Sequence, residues 1–134
     1  MMRTIIAGSR HLPRDDFDRD AIKVLIKSVL RPMTADPFGF GNITILSGMA
    51  RGIDTFAITV AKEEGWNVEE YPAKWDEHGK AAGFIRNEEM ARNADMLIAF
   101  WDGESRGTKH MINTALTLGL DVHVFQFPTA KETT

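Results

Sequence analysis

Asn93-Ala94-Asp95-Met96-Leu97-Ile98-Ala99-Phe100-Trp101-Asp102-Gly103-Glu104-Ser105-Arg106-Gly107-Thr108 is the stretch whose reading decides the fold. Met96 to Trp101 is an apolar run of strand length, Asp102 to Arg106 is a polar turn, and Gly107-Thr108 opens a helical pattern. The first N–H groups of a helix have no intrahelical partner and sit at the positive end of its dipole. A buried strand feeding such a turn therefore predicts an anion site made from backbone. Downstream, Met111, Ile112, Ala115, Leu116 and Leu118 fall on one expected inner face. Gly119 stops that helix, residues 122–127 read as a last strand, and a polar tail at 129–134 is expected to fray.

Working back from the same stretch, residues 82–92 read as a helix and 73–80 as a polar loop. Residues 67–71 form a short strand closed by Pro72. Ile53, Phe56, Ala57, Val60 and Ala61 keep an i, i+3, i+4, i+7, i+8 spacing that ends at Gly65, the pattern of an amphipathic helix after a strand at 43–46. Residues 31–42 hold two prolines and two glycines and are expected to form a loop. Phe38 and Phe40 in that loop pack either as a satellite cluster or on a neighbouring subunit. Before it, the pair Asp15 and Asp16 starts a helix with Phe17, Ala21, Val24, Leu25 and Val29 as its apolar stripe, ending before Pro32. The first strand, residues 4–7, runs into Gly8-Ser9-Arg10.

Strands and helices alternate throughout, which predicts an α/β fold: a three-layer, Rossmann-like open parallel sheet of five strands with helices on both faces. In such sheets ligands sit beyond the carboxyl ends of the strands, where the strand order reverses. For order 3-2-1-4-5 the reversal falls between the first and fourth strands, so the Gly8 turn and the Gly107 turn face one crevice.

The chain has 134 residues, 16 basic and 19 acidic side chains, a net charge of −3, and hydrophobic and charged fractions of 43% and 26%. Those values suit a single domain over residues 1–134, and a nucleic-acid partner held by bulk charge is not expected. With no cysteine there is no disulfide and no thiolate nucleophile. No signal peptide or membrane-length apolar run is present, so the expected location is the cytoplasm. The four histidines show no ligand spacing, and neither a metal nor a cofactor is expected. No G-x-S-x-G motif marks a serine triad.

Several residues can carry chemistry. Gly8 permits close backbone approach, Ser9 can donate to a phosphate and Arg10 can clamp it, although the same tripeptide suits a plain tight turn. In Ser47-Gly48-Met49-Ala50-Arg51-Gly52-Ile53-Asp54, two glycines bracket the entrance to a helix. Ser47, Arg51 and Asp54 offer polar contacts there, and Asp54 serves the helix dipole, Arg51 or a ribose hydroxyl. Arg86 and Asn87 sit four residues before Met90 and Ala91, which turns them toward the inward face and gives them need of a partner. That partner is a ligand, or else Asp102 or Glu104. Trp75, His78 and Lys80 have the make-up of a lid that stacks on a base and pairs with phosphate.

Taken in order, I-I-A-G-S-R, L-S-G-M-A-R-G-I-D, Y-P-A-K-W, H-G-K-A-A-G-F-I-R-N-E-E-M and A-D-M-L-I-A-F-W-D-G-E-S-R-G-T resemble the DUF2493 family. That family lies within the SLOG superfamily of Rossmann-like domains, alongside the LOG-type nucleotide phosphoribohydrolases and DNA-processing protein A. The resemblance implies a domain that senses or sequesters a nucleotide or nucleotide-derived ligand. Its phosphate would rest on Gly107-Thr108 with Ser105 and Ser9, steadied by Arg86 and Arg10, and the base would lie under Trp75 or the Met49 loop. The LOG-type enzymes place an arginine where Arg86 stands and a glutamate where this chain has Met111. The pattern thus leans away from catalysis, leaving Arg86 with Asp102 or Glu104 as the candidates for N-glycosidase chemistry. The likeness to DNA-processing protein A implies single-stranded DNA binding as a further alternative. Related domains commonly dimerise, so the resemblance also implies a homodimer.

Overall fold

The computed structural model describes residues 2–34 and 42–128, the side chains of 33 and 34 excepted. Five strands, β1 (Met2–Gly8), β2 (Ile43–Ser47), β3 (Asn67–Glu70), β4 (Met96–Trp101) and β5 (Asp121–Gln126), form one sheet in the order β3-β2-β1-β4-β5. Every pairing is parallel. Side chains alternate across a strand, so a strand buried on both faces is apolar at every position. β4 shows this along its whole length and β1 from Ile5 onward. Ile6, Ile98 and Phe100 point into one core with α1 (Asp16–Thr34) and α2 (Ile53–Glu64). Ile5, Ala7, Leu97 and Ala99 point into the other, under α4 (Ala82–Arg92) and α5 (Arg106–Thr117).

The sheet order and the helix-covered faces agree with the sequence expectation; several details differ. α1 runs through Pro32 to Thr34 rather than stopping before the proline. A proline so near a helix end forfeits only a bond of the last turn, which is tolerable there. The buried stripe of α1 is Ile22, Ile26 and Leu30, whereas Phe17 is 79% and Val24 61% exposed. The helix is therefore rotated from the expected phase. On α5 and at its C-cap, Met111 and Ala115 are buried while Leu116 and Leu118 are exposed, so the buried stripe is narrower than expected. Trp75–His78 forms a single helical turn, α3, where a loop was expected. Phe38, Phe40 and the 129–134 tail lie outside the described residues.

Candidate functional site

The reversal of strand order places the carboxyl ends of β1 and β4 side by side, with Gly8 paired to Phe100. The pairing is close enough to exclude a side chain at position 8, since a Cβ there would lie 2.4 Å from the Phe100 carbonyl oxygen and 2.6 Å from Ile53 Cγ1. The turn that follows each strand is locked to the other. The Ser9 N–H donates to the Phe100 carbonyl at 3.0 Å, and the Asp102 N–H donates to Ser9 Oγ at 3.1 Å. Ser9 is fully buried and serves this join.

Asp102 organises its own turn. Oδ1 accepts from the N–H groups of Glu104 and Ser105, both at 2.8 Å, and Oδ2 lies 3.1 Å from His11 Nε2. Burial works to raise the pKa of this carboxyl, yet the backbone donors, Ser9 and His11 together hold it below the ordinary value. Ser105 caps α5: its Oγ accepts from the Thr108 N–H at 3.4 Å and lies 3.0 Å from Thr108 Oγ1. The N–H groups of Glu104, Ser105 and Thr108 are thus already engaged. The expected backbone cradle is reduced to the helix start at Arg106 and Gly107.

A crevice of about 310 Å³ opens between these turns, α4 and α3. Of the residues singled out in the sequence, Gly8, Arg10, Asp54, Trp75, Lys80, Arg86, Asn87, Ser105, Gly107 and Thr108 line it. Ser9, Ser47, Gly48, Arg51, Gly52, Asp102 and Glu104 do not. Ser47 and the glycines shape the wall instead. Ser47 Oγ donates to the Asp54 carbonyl at 3.2 Å and accepts from the Met49 N–H at 3.2 Å, while Met49 takes a left-handed backbone with φ of 67°. Gly52, with φ of 82°, lets three carbonyls of residues 9, 10 and 12 crowd the start of α2. Arg51 and Glu104 are exposed.

The floor of the crevice joins α4 to the β2–α2 loop. Arg86 donates through Nη1 to the Gly48 carbonyl and through Nε to Asn87 Oδ1 at 3.0 Å. Neither Asp102 nor Glu104 is its partner in these bonds. Asn87 Nδ2 donates to the Gly107 carbonyl at 3.3 Å and lies 3.2 Å from His110 Nδ1, so α4 and α5 meet through it. A Cβ on Gly48 would fall 2.8 Å from Arg86 Nη1 and 2.9 Å from Asp54 Oδ2, which places guanidinium and carboxylate against the same glycine. Asp54 is only 5% exposed; burial pushes its pKa up to about 6, with Arg86, the Ala50 and Gly8 N–H groups and Arg10 pulling the other way. Burial likewise lowers the Arg86 pKa, against the attraction of Asp54.

Phe84, Gly83 and Met90 also line the crevice, unsuspected from sequence as ligand contacts, together with Ala50 of the Met49 loop and Met111. Phe84 stacks on His110 with ring centroids 4.0 Å apart, and Trp75 stands half-exposed at the mouth. The available signal was Phe84 lying two residues before Arg86 at the start of one helix. Met111, which the sequence resemblance set against the LOG-type glutamate, is buried, and a thioether offers no charge there. No cluster among the described residues could hold a metal ion. No helix of the described residues is long and apolar enough to cross a membrane.

An open parallel sheet with a polar crevice at the carboxyl ends of its two central strands defines a Rossmann-like domain. Sequence comparison finds the Gene 61 protein of Mycobacterium phage D29, 37% identical over 128 residues that cover 91% of this chain and 94% of that protein. The chain belongs to the family of that phage protein. No family model matches it. Among solved structures, the fold resembles DNA processing protein A from Streptococcus pneumoniae, with a TM-score of 0.70, 18% identity and 97% of this chain covered. It also resembles DNA processing protein A from Helicobacter pylori, with a TM-score of 0.62, 16% identity and 96% covered. The chain spans 52% of the first of those proteins and 67% of the second. The H. pylori structure is described for its mode of binding single-stranded DNA. That finding corrects the expectation, drawn from bulk charge, that nucleic acid is not a partner. A net charge of −3 does not report where the cations lie, and here Arg10, Lys80 and Arg86 gather at one crevice.

Proposed function

We propose that the crevice binds single-stranded DNA, with a backbone phosphate held by Arg10, Lys80 and Arg86 and a base stacked on Trp75. The observation that carries this reading is the convergence of three cations and an exposed indole on one crevice, in a fold shared with DNA processing protein A. Charge tracking the backbone and aromatic faces accepting bases are the two ingredients of sequence-tolerant single-strand binding. A free nucleotide would use the same phosphate and base contacts, so the two ligands differ in reach rather than chemistry. Membership of DUF2493 is part of this proposal and rests on the motifs quoted above.

Titration of tryptophan fluorescence with oligothymidylate and with thymidine monophosphate tests it. The oligonucleotide is expected to bind with the steep salt dependence of phosphate contacts and the monophosphate much more weakly; equal affinity would favour a free-nucleotide ligand. Trp75→Ala is expected to cost about 1–3 kcal/mol of oligonucleotide affinity, the usual worth of one stacked base. If Trp75→Ala, Arg10→Ala and Arg86→Ala each leave affinity unchanged, the crevice is not the site.

A further inference from the structure

We propose that occupation of this crevice by a phosphodiester is coupled to uptake of a proton by Asp54. The inference rests on the anion-binding reading above and adds to it a ligand-linked charge change at one residue. Among the described residues, Asp54 is the one carboxylate that lines the crevice. It is buried, and its Oδ2 comes up to the same face of Gly48 as the guanidinium of Arg86, the deepest cation of the site. Arg86 has its Nη1 and Nε engaged with Gly48 and Asn87, while Nη2 is turned toward Gly83 beside Trp75. A phosphodiester reaching Arg86 must therefore share that guanidinium with Asp54. Two anions held near one cation in a confined site repel, and the weaker acid relieves the repulsion by taking a proton.

The surroundings of Asp54 contain few competitors for that proton. Arg86 faces it from α4 and Arg10 from the turn after β1; the Ala50 N–H donates to Oδ2 at 3.3 Å, and the Gly8 N–H also supports it. α5 contributes Thr108 and Met111 to the crevice, and its His110 is turned to Asn87 and Phe84. Lys80 lines the outer part. Burial disfavours the charge of Asp54 and already pushes its pKa up to about 6. A bound anion moves that titration further upward. Affinity is accordingly level below about pH 6 and falls above it, by at most about tenfold per pH unit until the titration point of the complex is passed.

The test is isothermal titration of the full chain at pH 6.5 with an oligothymidylate bearing hydroxyls at both ends, so that no phosphomonoester titrates. Measurements in two buffers of different ionisation heat give the protons exchanged. Uptake of a fraction of a proton is expected for the wild type and for His110→Gln. Asp54→Asn is expected to bind with no uptake and with an affinity level from pH 5.5 to 7.5. Wild-type binding without proton uptake would overturn the coupling while leaving the crevice as a DNA site, and uptake that survives in Asp54→Asn would overturn it equally. Absence of oligonucleotide binding at every pH would overturn the site itself, and the coupling with it.

Discussion

Two buried aspartates stand at the same rim of the sheet and have opposite environments. Asp102, in the turn after β4, accepts two backbone hydrogen bonds of 2.8 Å and is held ionised below the ordinary carboxylate pKa, even though burial opposes this. Asp54, in the first turn of α2, receives one longer bond, 3.3 Å from the Ala50 N–H, with support from Gly8, and burial pushes its pKa up to about 6. Both have nearby cationic or imidazole side chains, so proximity of positive charge does not separate them. Deeper enclosure at Asp54 and short, fixed backbone donors at Asp102 do. Asp102 is consumed by the fold, and Asp54 is left poised toward the crevice.

The sharpest way to break this contrast is to remove each carboxylate. Asp102→Ala strands the Glu104 and Ser105 N–H groups and the Ser9 hydroxyl, and is expected to cost about 3 kcal/mol in urea denaturation at pH 7. Asp54→Asn at the same pH removes a charge that burial disfavours, and is expected to cost less than about 1 kcal/mol. Equal costs would show that the two sites are alike.

The pH dependence of stability sharpens the contrast further. Asp54 has a native pKa above its unfolded value of 3.8, so between roughly pH 4 and 6 the native state binds more protons than the unfolded chain. Its contribution is present below the unfolded pKa and is lost as pH rises to about 6, on the order of 3 kcal/mol in all. Asp102 has the reverse sign: its contribution is present at neutral pH and is lost as pH falls through its depressed native pKa. Relative to Asp54→Asn, the wild type is therefore expected to lose stability from pH 4 to pH 6.5 in a series of denaturation curves. A constant difference over that range would mean that burial does not disfavour the Asp54 charge.

The contrast between the two aspartates also marks where sequence reading stops. The apolar runs of β1 and β4 and the glycine stops were legible because period and punctuation are local properties. The sheet order followed from alternation and the common strand order, and the meeting of the Gly8 and Asp102 turns followed from the order. Helix phase was less legible. α1 is apolar at Phe17 and Val24 as well as at Ile22, Ile26 and Leu30, and only packing against the sheet selects which stripe is buried. The D-G-E-S sequence carried the signature of an aspartate that binds its own turn, yet Asp102 also read as a candidate acid, because its burial and the direction of its oxygens are tertiary facts. For Asp54 nothing local announces that Arg86, distant in sequence, meets it at Gly48. Phe84 was missed for a similar reason, since its role at the crevice depends on stacking over His110 from another helix.

The smallest expected effect separates the side-chain cap of α5 from the backbone capture that supports it. Ser105 Oγ accepts from the Thr108 N–H at 3.4 Å, toward the weak end for such a bond, so Ser105→Ala is expected to cost only about 0.5–1 kcal/mol. Asp102 grips the Ser105 N–H and so places the residue for capping, without touching the hydroxyl that does it. The two substitutions should therefore not add. In an Asp102→Ala background Ser105 is no longer held at the helix start, and removing its hydroxyl should cost about 0.5 kcal/mol less than in the wild type. A double-mutant cycle by urea denaturation reads that difference. Strict additivity would mean that the α5 cap forms without Asp102, and that the carboxylate stabilises its turn without positioning the crevice wall.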